Sequence, residues 1–82
     1  MLAREFEDKF WDVEGIVIVL RCPEDTEVSD YTYERAASGN TTLSELRRGR
    51  LSALEVPYVI HNGDAEEPNG RTKLETIRNT YD

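Results

Sequence analysis

Few side chains in this sequence could do chemistry, and their spacing decides what that chemistry is. His61 is the single histidine and Cys22 the single cysteine. An imidazole titrates near neutral pH, so His61, expected at a strand end beside Asn62-Gly63, suits acid/base work. Such work needs a partner group, and the chain has neither a second histidine nor a serine in a nucleophile elbow. Cys22 closes an apolar run, where a thiol behaves as a small inert hydrophobe. Carboxylates are abundant, with 17 Asp and Glu, yet neither Pro23 to Asp30 nor Asp64 to Pro68 has the Asp-x-Asp-x-Asp-Gly order of a calcium loop. No Gly-rich phosphate loop is present. The expectation is a protein without catalysis, metal or cofactor.

Charge is more informative. Residues 1–34 carry ten acids against three bases, whereas residues 35–82 carry seven of each, so the net charge of −7 belongs to the first 34 residues. Within Glu24 to Glu34 five acids stand with no base. A surface of this sign repels nucleic acid and attracts basic proteins at long range, although charge of this kind also serves solubility alone. Glu24, Asp25, Glu27, Asp30 and Glu34, interleaved with Tyr31 and Tyr33, therefore form the expected partner-binding set. Aromatics anchor interfaces and acids steer encounter with a basic target.

These residues need a scaffold, and at 82 residues the chain has room for one domain with a modest core, burying roughly 60–65% of its unfolded surface. Gly15 to Leu20 is the one sustained apolar run; short and β-branched, it reads as a central strand over about 15–21 covered on both faces. Leu2, Phe6 and Phe10 recur at four-residue spacing and predict a helix over about 2–11, with Lys9 to Val13 as a hairpin strand in the competing reading. Ser29 or Asp30 can cap a helix through Ala37. Thr42-Leu43-Ser44-Glu45 has capping-box spacing and starts another, reaching Leu54 or stopping near Gly49. Val56 to His61 reads as a second strand, residues 71–74 as a short third, and Lys73 to Tyr81 as a last helix. No internal repeat is apparent. The fold class is α+β: a two- or three-stranded sheet, parallel or antiparallel, under three or four short helices in a single domain over residues 1–82.

The order helix, helix, strand, turn and basic segment resembles that of small excisionase-like and MerR-like winged-helix proteins. That resemblance implies DNA binding through Thr41, Thr42, Ser44, Arg47, Arg48 and Arg50, with Arg71 and Lys73 in or beside a wing over 62–71. The wing's Asp64, Glu66 and Glu67 would repel phosphate, which makes this the alternative reading. The preferred expectation is a small acidic inhibitor or regulator that binds a basic, nucleic-acid-handling protein. In size and charge it is similar to the anti-restriction and anti-CRISPR proteins of phages, which occupy the nucleic-acid channel of a host protein. One cysteine, no signal segment and no apolar run near the roughly 20 residues of a membrane span point to the cytoplasm. A homodimer through the central strand or first helix is compatible with the small core.

Overall fold

The computed structural model describes residues 1–81. Its first element, helix α1 (Ala3–Glu14), buries Ala3, Phe6, Phe10 and Glu14, a stripe at three- and four-residue spacing. At its start the Glu5 carboxylate reaches back to the Leu2 N–H at 2.8 Å. Gly15 ends it in the left-handed region, φ 66°, donating its N–H to the Trp11 carbonyl at 2.9 Å. The helix therefore runs past the predicted residue 11, and Lys9 to Val13 forms no hairpin strand.

Strands β1 (Val17–Leu20) and β2 (Tyr58–His61) pair antiparallel, Val17 opposite His61 and Leu20 opposite Tyr58. Ile16, Ile18 and Leu20 are buried while Val17 and Val19 are only half-buried, so β1 alternates instead of being covered on both faces. Among the described residues the sheet has two strands and α1 is the one helix in extensive contact with β1, so the second face stays open. The segment 71–74 adds no third strand; it supplies an isolated bridge between Lys73 and Thr42.

The helix predicted over 29–37 does not form. Its two inward side chains, Tyr31 and Ala37, are six residues apart and would lie on different faces of a helix. Instead the segment runs irregularly, tied to the start of α1 by the Ala3 N–H to the Thr26 carbonyl and the Val28 N–H to the Met1 carbonyl, both 2.8 Å. Tyr31 drops edge-on between Phe6 and Phe10, ring centroids 5.4 and 5.2 Å away. Without this helix the two-helix unit behind the winged-helix resemblance is absent. Residues 62–71 are not a β-wing either, but a loop held by the Asn62 side-chain oxygen, which accepts the N–H groups of Asp64 and Glu66.

Helices α2 (Leu43–Gly49) and α3 (Leu74–Arg78) are short. The predicted capping box is in place: the Thr42 hydroxyl accepts the Glu45 N–H and the Glu45 carboxylate accepts the Thr42 N–H. The Thr42 N–H first, and second the Thr42 hydroxyl, which also donates to the carboxylate at 3.0 Å, hold the Glu45 carboxyl below its ordinary value. The two helices start in matching sequence, Gly39-x-Thr41-x-Leu43-x-x-Leu46-Arg47 against Gly70-x-Thr72-x-Leu74-x-x-Ile77-Arg78. Their backbones exchange equivalent bonds: Leu43 N–H to Thr72 and Leu74 N–H to Thr41, Ser44 N–H to Gly70 and Glu75 N–H to Gly39. This corrects the expectation of no repeat; the units are related by a local pseudo-twofold. Gly39 is needed at the crossing, since a Cβ there would stand 2.9 Å from the Glu75 Cβ, whereas one on Gly70 would meet the Ser44 hydroxyl, which can rotate aside.

Candidate functional site

The acidic segment is tied to the start of α1, where the Met1 amine pairs with Glu27 and Asp30, and its Tyr31 reaches one buried carboxylate. Glu14 ends the buried stripe of α1, and its side chain is fully enclosed. Its oxygens accept the Tyr31 hydroxyl at 2.5 Å, the Ala37 N–H at 2.9 Å, the Arg50 guanidinium at 2.6 Å and the Arg78 guanidinium at 3.1 Å. Arg78 also donates to the Glu14 and Ala37 carbonyls. A buried carboxylate is tolerated only when its charge is balanced and its lone pairs filled, and here both conditions hold. Burial first, and the hydrogen bond to Glu14 second, push the Tyr31 phenol far above its ordinary value.

This arrangement redistributes the predicted sites. Glu24, Asp25, Glu27, Asp30 and Glu34 are exposed as expected. Tyr31 is not available to a partner, because it is 3% exposed and serves Glu14. Tyr33 is exposed, but its face is covered by the Arg50 guanidinium, 4.3 Å from the ring centroid. Arg50 is thereby committed to Glu14 and Tyr33 and is withdrawn from the alternative DNA-binding set. In that set Thr42 is spent on the cap, Thr41 and Ser44 take part in the pseudo-twofold crossing, and Arg47 is half-buried. Arg48, Arg71 and Lys73 are exposed. His61 is half-buried, with its carbonyl accepting the Tyr81 hydroxyl, and among the described residues no three His, Cys, Asp or Glu side chains cluster as metal ligands.

Trp11 lies one residue off the Phe6, Phe10, Glu14 stripe of α1 and is 45% exposed. Its ring meets Tyr81 edge-on at 5.4 Å. On one side of it a groove of about 520 Å³ runs between α1 and β1, floored by Val17, Val19 and Cys22 and rimmed by Glu7, Asp8 and Glu24. On the other, Trp11, Gly63, Thr80 and Tyr81 line a hollow of about 420 Å³. No base lies within ion-pair distance of Glu7, Asp8, Glu24 or Asp25 among the described residues. Of the predicted partner-binding residues, Glu24 is the one that reaches this groove. The candidate site is thus centred on α1 and β1 and continues into the acidic segment. Comparison with protein-family models, curated proteins and solved structures finds no match.

Proposed function

We propose that this is a partner-binding protein with no catalytic step of its own, which engages a basic, nucleic-acid-handling protein and occupies the surface that would otherwise hold nucleic acid. The observation that carries the reading is an exposed indole beside a groove whose rim carboxylates have no cationic partner among the described residues. An aromatic with grooves on both sides is the kind of group that anchors an interface, and unpaired acids around it accelerate encounter with a positive surface. The acidic segment from Glu24 to Glu34 extends the same sign of charge beyond the groove.

The test joins affinity capture to competition. A basic protein recovered from host lysate should lose its bound DNA when this protein is added, and this protein alone should not shift duplex DNA at low salt. Trp11→Ala should weaken the complex by about 2 kcal/mol or more, roughly 30-fold. Charge reversal at Glu24, Asp25 and Glu27 should slow association and flatten its salt dependence. A salt-sensitive shift of DNA by the protein itself, or reversal without effect on a captured partner, would refute the proposal.

A further inference from the structure

The groove beside Trp11 contains more than side chains. In an antiparallel pair successive residues direct their backbone groups alternately toward and away from the partner strand. The Arg21 N–H donates to the Pro57 carbonyl, which continues the Val17–His61 register, so Val17, Val19 and Arg21 face β2. Ile18 and Leu20 face the other way, into the groove. The Leu20 N–H is taken by the Glu7 carboxylate at 2.9 Å. The Ile18 N–H and the carbonyls of Ile18 and Leu20 have no partner among the described residues. This is an unpaired strand edge, four residues and about 13 Å long, with apolar Val17 and Val19 beside it and acids above it.

We infer that a partner's extended, basic segment adds to the free edge of β1 as a third strand. The inference rests on the partner-binding reading and specifies how the basic partner is held. Exposed edges are normally blunted, because their free N–H and C=O groups recruit any extended chain. Here one amide is stoppered by Glu7 while the remainder stays open, and the rim of Glu7, Asp8 and Glu24 selects by charge what enters. An added strand presents alternate side chains to opposite sides. A segment alternating lysine or arginine with apolar residues places its cations against the rim and its apolar groups against Val17, Val19 and the Trp11 ring. Backbone bonds supply affinity and the alternating side chains supply selectivity, as in other strand-addition complexes.

The probe is a synthetic peptide, Lys-Val-Lys-Val-Lys-Val, titrated into isotope-labelled protein. Binding should protect the Ile18 amide from hydrogen exchange at least tenfold. A peptide N-methylated at alternate residues, on the edge that meets β1, should bind at least tenfold more weakly. So should the unmodified peptide against Asp8→Lys/Glu24→Lys, two exposed positions outside the core. Binding that perturbs Trp11 but leaves Ile18 exchange unchanged, with the N-methylated peptide equally good, would overturn strand addition while leaving the partner-binding proposal standing. No binding at millimolar peptide would also overturn it, and the capture and competition experiment then judges the broader proposal separately. Ile18 protection that grows with protein concentration without peptide would show a second copy of the chain filling the edge, which also overturns the inference.

Discussion

Replacing Glu14 by glutamine keeps the volume and removes the charge. Four donors converge on the native carboxylate, two of them guanidinium groups that are each about 23% exposed. Glutamine offers one acceptor oxygen, enough for about half of these donors, and turns an NH₂ toward the others. Two lost bonds involving charge, at about 1.5–3 kcal/mol each, give a loss of roughly 3–6 kcal/mol. Breaking a buried ion pair from one side independently suggests about 3–5 kcal/mol. A domain of this size has roughly 4–12 kcal/mol in total, so Glu14→Gln should leave the fold marginal and lower the melting temperature by about 12–40 °C. Urea unfolding followed by far-ultraviolet circular dichroism, with Trp11 fluorescence as a second probe, measures it. A loss below about 1 kcal/mol would refute the argument, because it would mean that the carboxylate's four contacts are replaceable by water. A double-mutant cycle with Arg50→Met should show a coupling well above the roughly 1 kcal/mol of surface pairs.

Three further substitutions have expected outcomes. Tyr31→Phe keeps the ring between Phe6 and Phe10 but removes the hydroxyl from Glu14, costing about 1–3 kcal/mol. Because the native Tyr31 phenol is raised, its contribution is complete below the ordinary phenol value of about 10 and falls as pH climbs above it; alkaline unfolding of the native protein should show this and Tyr31→Phe should blunt it. A Cβ on Gly63 would stand 1.7 Å from the Thr80 carbonyl oxygen, so Gly63→Ala should cost at least about 1–3 kcal/mol. Gly49, at the end of α2 with nothing within 4 Å of an added Cβ, should instead accept alanine with a gain of about 0.4–1 kcal/mol. Thermal melts of the two variants should move in opposite directions.

What was legible in the sequence was what depends on neighbours in the chain. The Leu2, Phe6, Phe10 spacing located α1, Thr42 and Glu45 located the start of α2, and the β-branched run located β1. Ser29, Asp30 and the Ala36-Ala37 pair signalled a helix that does not exist, since Tyr31 and the Ala37 amide are claimed by Glu14 from another element. That carboxylate itself was half legible: it stands four residues after Phe10, on the buried stripe, but its arginines lie 36 and 64 residues away, beyond the reach of local pattern. The matching starts of α2 and α3 were visible letter by letter, yet only four of the matched positions carry the same residue across the interval from Gly39 to Arg47, namely glycine, threonine, leucine and arginine, with Leu46 matched by Ile77.

The pseudo-twofold crossing has a consequence for the order of folding. Helices of seven and five residues are far shorter than the roughly 12–15 residues at which an isolated helix becomes marginal in water. Each obtains first-turn hydrogen bonds from the segment preceding the other, so neither can nucleate ahead of its mate. The chain between them must close first, at an entropic cost on the order of 3 kcal/mol for some 30 residues. During synthesis α2 would therefore stay unmade until Gly70 to Leu74 has left the ribosome, and both helices would then appear in one step.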